Sequence, residues 1–560
     1  MKERYIALMA KALEAYSDAH IVEYFERVKR EGLIEHGFPR LTANIGILIA
    51  HGYRGDLLPL FLEMMEFCCA TMPRVKAAND FSVKEIIFCI LALKEKEAVE
   101  NEQIERWLGY MRTVDPKSTY NVIAWSEDAT NVFNWALFST VSEQLREYAG
   151  LTDAQAFVDS QMPPQLIHLD ENSMYRDAFM HPPMVYDLVS RGLFSVLLHF
   201  GYKGKYADVI EEHLRKSALL SLDMQSVTGE IPYGGRSMQF LHNEPHLAAI
   251  FEYEARRYAK EGNKALAGRF KAAAARAIGD TEKWLSLSPI YHIKNRFSPE
   301  RGYKGGFGCE DYAYFDKYMI TVASFLYAAY LLADDEILPS DERQDVPRAF
   351  TLSDDFHKVF LRAGSYFTEF DTSADPHYDA SGLGRIHREG APSTIALSVP
   401  CPASPNYFIG DEERIDLSFA PALKEGDAWL FATNASVKYE LSSLIEEKET
   451  ASAAFVCRFG EKTVSAIHCV SDSGVTVSLS GEGEIGYLLP AFDFDGEAKT
   501  TVTQSEGSLS IAYGGWECRY TTDGAIIDLG KTGANRNGVY RAFLAEGKDS
   551  LTVKIEILRA

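Results

Sequence analysis

Residues 334–350, DDEILPSDERQDVPRAF, divide the chain into two halves with different hydrophobic periods. The segment is charged, contains Pro339 and Pro347, and has no apolar face, so it reads as a linker. Before it, apolar residues recur at helical spacing: Val185, Leu188, Val189, Gly192 and Val196 mark one buried helical face. After it the period falls to two, and Val475, Val477 and Leu479 alternate with Thr476, Ser478 and Ser480. Turn signals such as Glu425-Gly426-Asp427, Asp472-Ser473-Gly474 and Asp523-Gly524 separate such runs. Many strands with regular turns predict an antiparallel β-sandwich. The expected organisation is a helical domain over 1–335, a linker over 336–350 and a β-sandwich over 351–560.

The helical half reads as paired hairpins. One helix of each pair begins near residue 42, 80, 128, 180, 237 or 311. If the hairpins circle an axis, these helices form an inner ring entered from one rim, an (α/α)6 toroid; an open superhelix gives a similar pattern. The loops entering them are rich in polar and aromatic residues: Arg40 and Asn44; Asn79 and Asp80; Trp125, Asn131, Asn134 and Trp135; and the stretches 170–181, 229–246 and 301–318. A polar, aromatic rim on a helical ring is a cleft for a ligand.

The densest of these loops is Gly229–His246, GEIPYGGRSMQFLHNEPH. It gathers Tyr233, Arg236, His242, Asn243 and Glu244 within a few turns of chain. Gly234-Gly235 permits a tight bend. Ser237 is placed to cap the next helix, and Arg236 beside a helix N-terminus suits a carboxylate or phosphate. The competing reading of Arg236 is a structural salt bridge to a neighbouring acid.

Composition narrows the chemistry. The 560-residue chain is 46% hydrophobic and 24% charged, as expected of a globular protein of two or three domains. A net charge of −23 argues against nucleic acid and against a long acidic polymer held over a wide surface. Tyrosine and other aromatics at 12% suit stacking on sugars or a larger core. The eight cysteines form no CxxC and read as reduced structural thiols. The N-terminus reads as an amphipathic helix rather than a leader, and no apolar run reaches membrane-spanning length, so a cytoplasmic protein is expected.

Glycoside hydrolysis needs two carboxyl groups flanking the bond. Asp177, Glu244 and Glu310 are the candidates, each in a rim loop crowded with polar or glycine residues. Elimination from a uronate needs instead a Tyr or His base and groups that neutralise the carboxylate. Tyr175, His181, Tyr233, His242, Asn131, Asn243, Arg236, Tyr314 and Tyr318 could make that set. Asn134 and Trp135 are further substrate-binding candidates, and Tyr314 and Tyr318, one turn apart, offer a stacking wall or a core contact. Arg385 and His387, in SGLGRIHREG (381–390), either reach over the helical cleft or pack the domains together. His242 and His246 are spaced to share a metal, but no third ligand is evident, so neither metal nor cofactor is expected.

A helical ring followed by an antiparallel sandwich resembles the α/α-toroid carbohydrate enzymes, among them heparinase, chondroitin and alginate lyases. The segments NVFNW (131–135), YGGRSMQF (233–240) and GYKGGFGCEDYAYFDKY (302–318) resemble bacterial proteins related to glycoside hydrolase family 154. That resemblance implies a glucuronidase-type activity on a terminal uronic acid. The leading expectation is therefore an exo-acting hydrolase of a small anionic carbohydrate, with a uronate lyase as the alternative and a non-catalytic sugar-binding protein as the second. No nucleic acid or membrane partner is expected, and the exposed strands leave homo-oligomerisation open.

Overall fold

The computed structural model describes residues 1–124, 132, 134–177, 184–296, 308–340, 346–407, 414–434 and 436–560. Its helices are α1 (Lys2–Leu13), α2 (Asp18–Glu31), α3 (Gly37–Ala50), α4 (Leu58–Thr71), α5 (Val83–Glu95), α6 (Asn101–Met111), α7 (Pro116–Thr119), α8 (Asn134–Tyr148), α9 (Gln155–Gln161), α10 (Pro163–Leu166), α11 (Met184–His199), α12 (Ala207–Met224), α13 (Asn243–Lys260), α14 (Lys264–Leu285) and α15 (Phe315–Leu332). Local chemistry sets several ends. Ser17 Oγ accepts from His20 N at 3.2 Å to open α2, and Gly32 closes it with a φ of +83°.

The ring closes. Helix α3 packs on α5, α5 on α8, α8 on α11, α11 on α13, α13 on α15, and α15 returns to α3. These inner helices are buried nearly all round. In α5 even Lys84 and Glu85 are inside, joined to each other, with Arg40 of α3 at 3.8 Å from Glu85. The outer helices are amphipathic; α2 buries only Ile21, Tyr24, Phe25 and Val28. The loops entering the inner helices touch one another in sequence: His36 meets Phe81, Asp177 meets Asn134, and Ser237 meets Tyr312. They therefore share one rim.

The β region contains two antiparallel sheets. The smaller is β1 (Arg348–Thr351), β2 (Lys358–Ala363), β3 (Tyr366–Asp371) and β4 (Gly382–Arg388), in that order. The larger has eleven strands, centred on the pair Gly474–Phe494 and Gly538–Arg559, paired from Val475↔Ile555 to Phe494↔Val539 with register shifts between Ser480 and Glu484 and between Phe492 and Phe494. Both faces of the small sheet are covered. Val359 and Leu361 join Phe455, Val470 and Val477 in the sandwich core. The alternate residue Phe360 packs with Phe367 against Met174, Met184 and Met224 of the helical domain. This is why β2 and β3 are buried along almost their whole length while burial alternates over Val475–Leu479. All eight cysteine thiols are free, and no described helix is long and apolar enough to cross a membrane.

Burial also sets an acid limit. Burial pushes His242, His292, His387 and His468 down to about 3 and His199 to about 4, from an ordinary value of 6.5. Below 6.5 the unfolded imidazoles take up protons that the folded ones refuse, so the unfolded state binds more protons and stability falls as pH drops. The melting temperature should therefore be clearly lower at about pH 5 than at about pH 7. A flat profile across that interval would show that these histidines are not held neutral.

Candidate active site

A cleft of about 620 Å³ lies where the helical rim meets the small sheet. Asp177, Met184 and Gly234–Arg236 line it from the helical side. Lys358 and the segment from Asp371 to Asp379 line it from the β side.

Arg236 is the cleft's exposed cation. Its side chain is 46% exposed, with Nη2 at 3.5 Å from Asp177. The guanidinium lies over the Tyr186 ring at 4.8 Å and near that of Tyr312 at 5.9 Å. Behind it runs a chain of hydroxyls: Tyr186 Oη to Ser237 Oγ at 3.1 Å, and Ser237 Oγ to Tyr312 Oη at 2.8 Å. Burial raises Tyr186 above its ordinary value, and the charge of Arg236 pulls it back down. A sharp backbone bend makes this arrangement possible. Gly234 (φ +128°), Gly235 (+74°), Ser237 (+66°) and Gln239 (+61°) are all left-handed. A Cβ on Gly234 would also sit 3.0 Å from Lys358 Nζ. Ser237 is thus part of the bend and not a helix cap; α13 starts six residues later, after His242.

The sequence candidates separate into groups. Asp177 and Asn134 come together: Asp177 Oδ1 accepts from Asn134 N at 3.1 Å and Nδ2 at 2.6 Å, opening α8. Asn243 Nδ2 donates to Ser237 O at 3.1 Å and supports the bend. His242 and Tyr318 stack at 6.0 Å beside the hydroxyl chain, with His242 Nδ1 buried and unpartnered. Tyr318 meets Tyr312 edge-on at 5.9 Å.

Others are consumed by structure. Glu244 is wholly buried, accepting from Ile231 N at 3.3 Å and pairing with Lys294 at 2.6 Å. Burial pushes it up to about 7, with Lys294 opposing. Glu310 is buried against Arg536 and bridges to Tyr407. Tyr175 is inside the helical domain, donating to Gln165 Oε1 at 2.6 Å. Tyr233 lies under Lys358, whose Nζ is 3.6 Å from the ring centre. Arg385 is buried between Glu369 at 2.9 Å and Ile231 O at 2.8 Å. His387 Nδ1 meets Ser226 Oγ at 2.5 Å. Both residues fasten the small sheet to the helical domain and do not reach into the cleft. Tyr314 points elsewhere, lining a separate groove with Tyr24 and Arg27, because it precedes α15 in extended conformation and so shares no helical face with Tyr318. Trp135 is 37% exposed and packs edge-on to Phe81. Asn131, His181 and Trp125 lie outside the described residues, as do Arg301 and the glycines up to 307. Among the described residues no cluster of His, Cys, Asp and Glu is arranged to hold a metal.

Sequence reasoning missed Tyr186, Tyr312, Lys358 and Asp379. Tyr312 was visible within GYKGGFGCEDYAYFDKY, and Tyr186 sits in the first turn of an inner helix, where a polar aromatic faces the rim. Lys358 and Asp379 come from strand and loop positions with no motif.

No protein-family model and no curated protein matches the chain. Among solved structures it is similar to a heparinase III, with 9% identity and a TM-score of 0.50 over 93% of this chain and 78% of that one. It is also similar to a Paenibacillus xanthan lyase, with 9% identity and a TM-score of 0.51 over 99% of this chain. The chain spans 57% of that lyase's length. The chain therefore shares its toroid-plus-sandwich fold with these two structures, and the finer resemblance to glycoside hydrolase family 154 is not carried by it. The expectation of a glucuronidase-type hydrolase is corrected: these neighbours are lyases, and two of its three carboxylates, Glu244 and Glu310, are locked in buried ion pairs.

Proposed function

We propose that the protein is a lyase that cleaves a short uronate-containing saccharide by β-elimination. The observation that carries this reading is Arg236, half-exposed in the cleft with its guanidinium over the Tyr186 ring. Elimination requires the proton beside the uronate carboxylate to become acidic and a base to take it. Arg236 supplies the first requirement by pairing with that carboxylate; its contact with Asp177 is long enough to leave donors for a ligand. Tyr186 supplies the second, because a phenolate formed under a guanidinium is stabilised by it. The hydroxyls of Ser237 and Tyr312 give the proton a route away. The heparinase and xanthan lyase folds support the same class of chemistry. Four aspartates, Asp177, Asp355, Asp371 and Asp375, line the same cleft. That surplus of negative charge favours a short substrate with few acidic groups beyond the one held by Arg236.

Incubation with oligouronides and glucuronides tests the reading by ultraviolet absorbance of the 4,5-unsaturated product. Arg236→Ala should lower kcat/KM by about 10²–10³-fold, and Arg236→Lys should recover only part of it, having lost the planar fork. Release of saturated uronate without the chromophore would overturn elimination.

A further inference from the structure

Asp379 faces the cleft from the β side and takes no part in the chemistry described so far. It is 1% exposed, yet it lines the cleft with Asp177 and Arg236. Its Oδ2 accepts from Gly235 N at 3.4 Å, which ties it to the residue beside Arg236. Its Oδ1 is buried and has no hydrogen-bond partner. A buried carboxyl oxygen without a partner costs free energy unless a ligand or a proton satisfies it.

The surroundings hold this carboxyl still and keep it protonated. Asp375 O accepts from the Asp379 N–H at 2.9 Å, and Asp371 Oδ1 and Asp375 Oδ1 each close a tight turn, on Ser373 N at 2.9 Å and His377 N at 3.0 Å. The nearby cation is Lys358, whose Nζ is 3.0 Å from Asp371 and 3.4 Å from Glu369. One ammonium therefore serves two closer carboxylates, and Asp379 is the third. Burial first, and then the charge of Asp371, with a further contribution from Asp375, holds the Asp379 carboxyl well above the ordinary carboxylate range, against the pull of Lys358.

We propose that Asp379 is the acid that protonates the departing glycosidic oxygen. The inference rests on the lyase reading. The base removes the proton at C5, and that electron pair becomes the C4–C5 double bond. The C4–O4 bond breaks with its pair going to O4, and the Asp379 O–H proton transfers to O4. Asp379 is left as a carboxylate and regains a proton from water when the product leaves. No oxidant or reductant is required. Asp379 comes from the β side and the base from the helical side, so the two proton transfers use residues of different domains.

Leaving-group dependence tests this. A sugar leaving at O4 needs a proton; fluoride or nitrophenolate at C4 does not. Asp379→Asn keeps an acceptor for Gly235 N, and Asp379→Ala removes the side chain, so agreement between the two guards against a folding artefact. Both variants should lose about 10²–10⁴-fold in kcat on an oligouronide, while staying near wild type on a 4-deoxy-4-fluoro uronide or a 4-O-nitrophenyl uronide. Equal losses on both kinds of substrate would make Asp379 structural and overturn the assignment, as would no loss on the oligouronide. If the wild-type protein forms no unsaturated product from any of these substrates, the lyase reading itself fails and the Asp379 assignment falls with it, an outcome distinct from the other two.

Discussion

Tyr186→Phe should lower kcat/KM for the elimination by about 10²–10⁴-fold while leaving the fold intact. The ring stays, so the platform under Arg236 at 4.8 Å is kept; only the Oη that bonds Ser237 is lost. The loss should fall on kcat, with KM little changed, because Arg236 still binds the carboxylate. The pH profile is a second readout. A base must be deprotonated to act, and burial raises Tyr186 above its ordinary tyrosine value. Wild-type kcat/KM should therefore climb with pH by about tenfold per pH unit while Asp379 keeps its proton and level off once that acid ionises, and Tyr186→Phe should abolish the climb. A variant with wild-type kcat, or with the slope preserved, would remove Tyr186 from the mechanism and direct attention to Tyr312.

The largest stability effect is expected at Arg536. This residue stands in the turn between strands Ala525–Asn535 and Gly538–Arg559 and enters the helical domain completely buried. It pairs with Glu310, donates to Gly308 O and Met238 O, both at 2.6 Å, and lies 4.1 Å over the Tyr407 ring. Arg536→Ala strands the Glu310 carboxylate and two carbonyls in a dry interface. Removing one partner of a buried pair costs about 3–5 kcal/mol. The expected result is a lower first melting transition, with separation of the domains visible as a second one. Adding Glu310→Gln to Arg536→Ala should restore part of the loss, because the stranded charge is then gone. If Arg536→Ala melts like wild type, the turn does not hold the domains together.

How much was legible in the sequence varied with the kind of interaction. Hydrophobic period is a local property, so the helical and strand halves of the chain were legible in it, as were inner helices of the ring near 42, 80, 237 and 311. Helix ends were less legible. Ser237 has the residue type of a cap, yet its φ of +66° belongs to a bend. Pairing between carboxylates and cations far apart in sequence was not legible at all. Glu244 and Glu310 looked like free rim acids because Lys294 and Arg536, 50 and 226 residues away, carry no motif that announces them. Likewise Arg385 and His387 have the residue types of a site, but their partners Glu369 and Ser226 make them fasteners.

By itself, then, the sequence determined the two-part architecture and the acidic balance, and it placed Arg236 beside a bend within YGGRSMQF, because period, charge and a bend-permitting Gly-Gly pair are written in neighbouring residues. Only the tertiary structure decided which acids are spent on buried pairs, which tyrosines stand under Arg236, and that Asp379 faces it from the other domain. Those facts depend on which side chains lose water together, and chain closure over hundreds of residues sets that, not spacing along the chain.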